Sequence, residues 1–208
     1  MIAPAALPVG SPVVPSASAA LCPDIEVVFA RGREEPVGTG VIGTAFVNAL
    51  RSKAKGKNIG FYAVNYPADT EVDQGANDMS QHIQHMANTC PDTRLVLGGY
   101  SLGAAVTDVV LAVPAPLFGF DNPLPLGSDG HIAAVALFGN GTQRWLGPIS
   151  DLNPAYGDKT IELCHGADPL CSNSDLNDAD RNWGDHNASA YVKSGMVNEA
   201  ADFVAGRL

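Results

Sequence analysis

The residues best suited to catalysis surround a serine in the middle of the chain. The pattern Gly-x-Ser-x-Gly is met by residues 99–103, with an apolar run, 95–98, before it and a helical pattern, 104–111, after it. In a sharp turn from strand to helix, this pattern exposes the serine hydroxyl beside backbone N–H groups at a helix N-terminus. The context favours a nucleophilic Ser101 over an ordinary glycine-rich turn, provided that a base and an acid accompany it.

A serine nucleophile needs a base, and three histidines follow Ser101. On scaffolds of this kind the chain order is serine, acid, histidine. His131 begins a predicted strand, which puts it at the wrong edge of the sheet. His186 lies in a loop with several acids before it, and we expect it to be the base, with His165 as the alternative.

Asp168 is the acid that the sequence favours. It lies in a short loop between Cys164 and Cys171, and a disulfide there would hold the loop rigid enough to orient a histidine. The later acids are interpreted as a solvated loop: Asp175, Asp178, Asp180 and Asp185. That run is only partly like a calcium loop, because Trp183 stands where glycine is needed and Ser189 where glutamate is. We therefore expect no metal and no cofactor.

Apolar runs of high β propensity alternate with helical patterns along the chain. The predicted strands are 25–30, 59–64, 94–98, 132–138 and 160–163, and the predicted helices are 41–52, 75–88, 104–111 and 188–208. This alternation predicts an α/β three-layer sandwich with a five-stranded parallel sheet. Ser101 then falls at the carboxyl ends of the strands, where ligands bind in such sheets. His82 and His85 share a face of the second helix and are interpreted as solvated polar residues.

Length and composition indicate a single globular domain. The chain has 208 residues, 46% of them hydrophobic and 16% charged, and a net charge of −10 without a basic patch. Nucleic-acid binding is therefore disfavoured, and no apolar run has the length of a membrane span. We expect a monomeric domain over residues 22–208, preceded by a flexible arm or leader remnant, 1–21, in which 17–19 resembles a leader cleavage site.

The four cysteines favour an oxidising compartment, although four buried thiols in a cytosolic protein are the alternative. Four cysteines allow three connectivities. We favour Cys164–Cys171, which closes a small loop, and Cys22–Cys90, which precede the first and third strands. If those strands are parallel neighbours, their starts adjoin and the bridge is easily made.

Four motifs in order resemble the cutinase family, and most closely the cutinase-like esterases that mycobacteria export. They are Phe29-Ala30-Arg31-Gly32, Gly98-Gly99-Tyr100-Ser101, Ala136-Leu137-Phe138-Gly139 and Cys164 with Asp168-Pro169-x-Cys171. The resemblance covers about residues 22–208. It implies a small, lidless α/β-hydrolase, a secreted serine esterase with the triad Ser101, Asp168 and His186, and the two disulfides favoured above.

The resemblance also implies an oxyanion hole formed by the backbone N–H groups of Arg33 and Leu102. Many cutinases have serine or threonine in place of Arg33, with a hydroxyl that also faces the oxyanion. Losing one such donor costs about 10²–10³-fold in rate, so modest activity is expected unless Arg33 compensates. Leu102 replaces a frequent glutamine, which matters less because only its backbone N–H is needed.

We expect hydrolysis of carboxylic esters with short to medium acyl chains, because no lid or deep tunnel is encoded. Phe118, Phe120 and the segment 146–149 either form an apolar rim for acyl chains or cover the core. Two other possibilities are an esterase acting on acetylated polysaccharide or phospholipid, and a weakly active or non-catalytic binding protein on the same scaffold. Arg33 is the feature that favours the binding protein.

Overall fold

The computed structural model describes residues 22–208, and the predicted arm or leader remnant, 1–21, lies outside the described residues. The strands are β1 (Ile25–Ala30), β2 (Ile59–Ala63), β3 (Arg94–Tyr100), β4 (Ile132–Phe138) and β5 (Thr160–Leu163). They form one parallel sheet in the order β2-β1-β3-β4-β5. The predicted five-stranded parallel sheet is confirmed.

The register of the sheet brings the carboxyl ends of the central strands to one edge. Ala30 pairs with Gly99, Tyr100 pairs with Phe138, and Phe138 pairs with Leu163. The loops that follow β1, β3, β4 and β5 therefore begin side by side. This edge receives the residues that the sequence selected for chemistry.

Helices cover both faces of the sheet. They are α1 (Gly40–Lys53), α2 (Val72–Thr89), α3 (Leu102–Ala112), α4 (Gly141–Leu146), α5 (Ile149–Leu152), α6 (Ala179–Asn182), α7 (Ala188–Lys193) and α8 (Met196–Ala205). On one face Ile83 of α2 and Val110 of α3 pack against the sheet, and on the other Phe46 of α1 and Val204 of α8 do so. Every residue of β4 is buried, as expected for a parallel strand covered on both sides. The architecture is the predicted three-layer sandwich.

The last predicted helix, 188–208, is two helices rather than one. α7 ends at Lys193 and α8 begins at Met196, with Gly195 between them at φ 89°. This left-handed conformation is open to glycine at little cost and ends a helix in the usual way. The apolar spacing continues across the break, which is why the sequence indicated a single helix.

The prediction for His82 was wrong. Its side chain is 13% exposed, its Nε2 lies 2.7 Å from Glu26 Oε2, and its ring stacks on Tyr62 with 3.6 Å between ring centroids. The edge strand β2 presents Tyr62 to α2, and the neighbouring β1 supplies the carboxylate. His85, one turn later, is exposed as expected.

The two segments predicted as an apolar rim each divide between core and surface. Phe120 and Ile149 are 1% exposed and belong to the core, whereas Phe118 is 92% exposed and Leu146 62% exposed. Phe118 and Gly119 form a tight turn with positive φ angles, and the Gly119 carbonyl accepts a hydrogen bond from Asn77 of α2. Covering the core is therefore the role of Phe120 and Ile149.

Both favoured disulfides are present. Cys22 is bonded to Cys90 and Cys164 to Cys171, with Cα–Cα distances of 5.6 and 5.7 Å. Disulfides of this kind are typical of proteins in oxidising compartments. Within residues 22–208, no helix combines the length and the apolar character needed to cross a membrane.

Candidate active site

Ser101 occupies a strained turn between β3 and α3. Its backbone angles are φ 54° and ψ −116°, a region that residues other than glycine rarely adopt and that is found at functional sites. Two hydrogen bonds hold it there: Ser101 N–H donates to the Phe138 carbonyl at 2.9 Å, and Ala104 N–H donates to the Ser101 carbonyl at 3.0 Å. The turn is thus fixed to the neighbouring strand and to its own helix.

The two glycines of the serine motif are required by close backbone packing. A Cβ on Gly99 would lie 2.1 Å from the Gly103 carbonyl oxygen, and a Cβ on Gly103 would lie 2.0 Å from the Ala30 carbonyl oxygen. These atoms belong to the backbone, so no side-chain rotation could relieve the overlap. Glycine at both positions lets α3 start directly against the ends of β3 and β1.

The structure brings Ser101, His186 and Asp168 into one hydrogen-bonded line. His186 Nε2 lies 2.9 Å from Ser101 Oγ, and His186 Nδ1 lies 2.7 Å from Asp168 Oδ2. The serine comes from the turn after β3, the acid from the loop after β5, and the histidine from the 3-10 turn Trp183–His186 before α7. Such an arrangement can transfer the serine proton to the imidazole.

The charge of Asp168 determines which nitrogen of His186 carries the proton. Burial of this fully enclosed carboxyl raises its pKa, but hydrogen bonds from His186 and Tyr191 and one from Leu170 N–H outweigh burial, so the pKa of Asp168 lies below its ordinary value. An ionised carboxylate only accepts hydrogen bonds. Neutral His186 therefore donates through Nδ1 and presents the lone pair of Nε2 to Ser101.

Tyr191 of α7 is a site residue that the sequence analysis missed. Its side chain is fully buried, and its hydroxyl donates to Asp168 Oδ2, the same oxygen that faces His186. The hydroxyl also accepts a hydrogen bond from His165 N–H at 3.2 Å. Burial, followed by the bond to Asp168, raises the pKa of Tyr191. In the sequence it is one apolar position of a helix and gives no sign of this role.

Gly139, directly after β4, makes room for the acid and the histidine. A Cβ there would lie 3.0 Å from Tyr191 Oη, 3.1 Å from His186 Cε1 and 3.2 Å from Asp168 Oδ2, and its φ is 56°. Both the backbone conformation and the space therefore select glycine. The next residue, Asn140, is buried and caps α4 by accepting a hydrogen bond from Thr142 N–H.

Two aromatic rings stack on His186. Tyr100 is 7% exposed and its ring centroid lies 5.3 Å from that of His186, while Trp183 is 52% exposed with a centroid distance of 5.2 Å. The Tyr100 hydroxyl also donates to the His186 carbonyl. The imidazole is thus restrained by a buried ring and by a half-exposed one.

Of the three candidate histidines, all within the described residues, only His186 is hydrogen-bonded to Ser101. His165 Nδ1 lies 3.6 Å from Asp185 Oδ1, and His131 precedes β4, at the opposite edge of the sheet from the serine. Asp185 was interpreted as part of a solvated loop, yet its Oδ2 accepts the Ala167 N–H at 2.8 Å. This bond ties the histidine turn to the loop that holds Asp168.

The loop after β1 lies beside the serine turn and carries Arg33. The flanking N–H groups are engaged, Gly32 N–H with Glu35 Oε2 and Glu34 N–H with the Ala68 carbonyl, each at 2.7 Å. The exposed Arg33 guanidinium pairs with Asp69, with Nη2 2.8 Å and Nε 3.2 Å from Oδ1. The side chain of Arg33 is therefore directed into an ion pair between two loops.

Arg31 holds the shape of this loop and was also missed as a site residue. It is 3% exposed, and its guanidinium donates to the carbonyls of Glu35 at 2.8 Å, Tyr66 at 2.7 Å and Pro67 at 3.2 Å. The guanidinium also lies 5.1 Å from the centre of the Tyr66 ring. A planar guanidinium with five donors suits such a set of carbonyl acceptors.

The only candidate metal group among the described residues is accounted for by other bonds. Ligand atoms of Cys164, Asp168 and Cys171 lie within 4.8 Å of one another. The two sulfurs are joined in a disulfide, so neither can act as a thiolate ligand. The carboxylate of Asp168 is engaged by His186 and Tyr191.

Comparison with known sequences assigns nearly the whole chain to one family. The family model described as Cutinase matches residues 21–208. The chain is 65% identical over 208 residues to a protein of Mycobacterium tuberculosis named probable carboxylesterase Culp2, covering 100% of this chain and 90% of that protein. It is 54% identical over 199 residues to the M. tuberculosis protein named phospholipase Culp4, covering 94% and 83%.

Solved structures share the fold. Trichoderma reesei cutinase in complex with a C11Y4 phosphonate inhibitor is 27% identical with a TM-score of 0.67, covering 89% of this chain and 76% of that one. The catalytic core domain of acetyl xylan esterase from T. reesei is 23% identical with a TM-score of 0.71, covering 90% and 100%. The second likeness concerns the fold alone.

Proposed function

The chain belongs to the cutinase family of carboxylic ester hydrolases, and from this premise we propose that Ser101, His186 and Asp168 form its catalytic triad. The observation that carries the proposal is the continuous line of hydrogen bonds from Ser101 Oγ through both nitrogens of His186 to Asp168. The strained turn at Ser101 supports it further, because backbone strain concentrates at functional sites.

The first half of the reaction forms an acyl-enzyme. Ser101 Oγ attacks the ester carbonyl carbon while its proton moves to His186 Nε2, and Asp168 stabilises the resulting imidazolium. The tetrahedral intermediate then collapses: the bond from carbon to the alcohol oxygen breaks, and His186 gives the proton to the departing alcohol. The acyl group remains on Ser101 Oγ.

The second half repeats the sequence with water. His186 Nε2 removes a proton from water as the water oxygen attacks the acyl carbon. The bond to Ser101 Oγ breaks, His186 returns the proton to the serine, and the carboxylic acid leaves. The enzyme ends in the state in which it began.

The oxyanion is proposed to bind the backbone N–H groups of Leu102 and Arg33. Leu102 is the first residue of α3, so its N–H has no acceptor within the helix and belongs to the positive end of the helix dipole. The fixed N–H groups on either side of Arg33 hold the peptide of that residue in place. Because the guanidinium pairs with Asp69, Arg33 contributes through its backbone.

The proposed substrates are carboxylic esters with short to medium acyl chains. We propose that the protein acts on them outside the cytosol. The connection from β4 to β5 contains two short helices, α4 and α5, and a 3-10 segment, Pro154–Lys159, rather than a long insertion that would enclose a tunnel. The two disulfides support export to an oxidising compartment. In a series of p-nitrophenyl esters, a maximum at palmitate or longer chains would contradict the chain-length proposal.

Replacing the serine tests the triad directly. We expect Ser101→Ala to lower the turnover of p-nitrophenyl butyrate by more than about 10³-fold and to prevent labelling by a fluorophosphonate probe. The matched control is Ser52→Ala, which removes an exposed serine of α1 whose hydroxyl bonds to Asn48. Undiminished turnover in the Ser101 variant would falsify the assignment, and lack of labelling of the wild-type chain would favour the non-catalytic binding protein.

A further inference from the structure

Trp183 is an exposed aromatic residue with a defined contact in the proposed site. The chain has only two tryptophans; Trp145 is 71% exposed and Trp183 is half-exposed, at 52%. The Trp183 ring lies on His186 with 5.2 Å between centroids and 19° between ring planes. Trp145 is not part of this stack. The guanidinium of its neighbour Arg144 lies 5.9 Å from the centre of its ring.

The local helix type explains why these two rings meet. Residues Trp183–His186 form a 3-10 turn, and side chains three residues apart eclipse one another in a 3-10 helix. The Asn187 N–H closes the turn by donating to the Gly184 carbonyl at 3.3 Å. The turn is tied to the acid loop by the bond from Ala167 N–H to Asp185 Oδ2. The backbone conformation of the turn therefore places the Trp183 indole against the His186 imidazole.

The stack contributes most to holding the His186 ring when one of the hydrogen bonds of that ring is lost. Two in-plane hydrogen bonds hold the imidazole, one to Ser101 and one to Asp168. Once Ser101 Oγ is acylated, the hydrogen bond to Ser101 is lost, and the ring keeps one in-plane partner and its stacked neighbours. The imidazolium that forms in each half-reaction is in addition attracted to an aromatic face.

We propose that Trp183 is a positioning residue for His186, holding the imidazole in line between Ser101 and Asp168 through acylation and deacylation. The inference rests on the function proposed above. It assigns to the indole no contact with the reacting atoms of the substrate. Its effect should therefore appear in kcat and not in KM.

Three variants test the role of the ring in catalysis. Trp183→Ala should lower kcat by about 3- to 30-fold, the range of an aromatic–cation contact, with KM unchanged within about twofold and the melting temperature close to that of the wild type. Trp183→Phe keeps an aromatic ring and should recover most of kcat. Trp145→Ala removes the other exposed indole and is the matched control, with wild-type kcat.

Fluorescence tests the stack without turnover. In Trp145→Phe, Trp183 is the only tryptophan, and adding His186→Ala should change its emission intensity. In Trp183→Phe, where Trp145 is the only tryptophan, the same His186 change should leave the emission unaltered. Equal responses from both tryptophans would show that the stack is absent in solution.

The outcomes separate this inference from the function beneath it. Wild-type kcat in Trp183→Ala, beside an inactive Ser101→Ala, overturns the role of Trp183 and leaves the triad intact. A raised KM with unchanged kcat assigns Trp183 to substrate binding and also overturns it. Equal loss in Trp183→Phe and Trp183→Ala shows that stacking is not the cause. An active Ser101→Ala rejects the proposed function itself.

Discussion

At the scale of single residues, the arrangement of the site depends on how Asp168 is surrounded. The same carboxylate oxygen accepts hydrogen bonds from His186 and from Tyr191, and the second oxygen accepts one from Leu170 N–H at 2.8 Å. These donors keep the fully buried carboxyl ionised in spite of the cost of burying a charge. Tyr191 contributes to that balance from the packed face of α7, where no substrate contact is required.

Removing the Tyr191 hydroxyl should destabilise the fold in a pH-dependent way. Hydrogen bonds to charged groups contribute about 1.5–3 kcal/mol, and we expect Tyr191→Phe to lower the free energy of unfolding by that amount at pH 7. The pKa of Asp168 is lowered on folding, so its contribution is present above the unfolded pKa of about 3.9 and is lost as pH falls through the folded pKa. Urea unfolding should therefore show a smaller difference at pH 3 than at pH 7.

Tyr62→Phe is the matched control for this change. Burial and the bond to Asp78 raise the pKa of Tyr62 to about 12, and its hydroxyl donates to both oxygens of that carboxylate, at 3.1 and 3.0 Å. It too loses a bond to an acid, but one outside the site, so esterase activity should be retained. A Tyr191→Phe effect that is equal at both pH values would contradict the role given to Asp168.

At the scale of elements, the site depends on α3 starting in contact with the loop after β1. Gly103 allows this contact, because a Cβ there would overlap the Ala30 carbonyl oxygen at 2.0 Å and the Arg31 carbonyl oxygen at 2.6 Å. Arg31 then holds the loop by bonds to three carbonyls on two segments of backbone, Glu35 in the loop itself and Tyr66 and Pro67 after β2. The serine turn and the loop after β1, which carries Arg33, are therefore positioned as one unit.

Adding a single methyl group at Gly103 should disrupt that unit. We expect Gly103→Ala to cost about 3 kcal/mol or more of unfolding free energy, at the upper end for overpacked sites, and to abolish measurable esterase activity. The matched control is Gly130→Ala, since a Cβ on Gly130 meets nothing within 4 Å. Chemical unfolding and a p-nitrophenyl butyrate assay measure both effects. A Cβ on Gly103 would lie 2.0 Å from the Ala30 carbonyl oxygen, so wild-type stability in Gly103→Ala would show that the start of α3 and the end of β1 lie further apart in solution.

The sequence predicted the elements that have a strong period and missed those that do not. The five strands were recognised because uninterrupted apolar runs such as 132–138 are typical of buried parallel strands. The short helices α4 and α5, of six and four residues, escaped because they are too short to show a helical period. The motifs around Ser101 and Asp168 indicated the site, whereas the bond from Tyr191 to Asp168 is a tertiary contact that no local pattern records. The stack of Trp183 on His186 depends on a four-residue 3-10 turn, which is too short to show a period.

At the scale of the whole molecule, the two disulfides lie at different parts of the fold. Cys22 and Cys90 precede β1 and β3, whose carboxyl ends, at the opposite edge, lead toward the serine turn. Cys164 and Cys171 enclose the loop that carries Asp168, and Cys171 Sγ lies 3.5 Å from the Tyr191 hydroxyl. The first bridge joins cysteines 68 residues apart in the chain, and the second closes the short loop that holds Asp168, the proposed acid of the triad.

Removing each disulfide should therefore separate stability from activity. The loop-closure relation gives about 4 kcal/mol for a separation of 68 residues and about 2 kcal/mol for one of 7. We expect the double variant Cys22→Ala/Cys90→Ala to lose more unfolding free energy but keep kcat within about twofold. Cys164→Ala/Cys171→Ala should lose less stability yet lower kcat by at least about tenfold, because released Asp168 no longer orients His186.

Guanidinium unfolding and ester hydrolysis, measured on the same preparations at a temperature where both double variants remain folded, distinguish the two effects. Each bridge serves as the control for the other, since both variants lose two cysteines and gain two alanines. If kcat followed stability across the wild type and the two variants, the Cys164–Cys171 bridge would have no orienting role of its own. If the Cys22–Cys90 variant lost the greater share of kcat, the opposite edge of the sheet would have to influence the serine turn through β1 and β3.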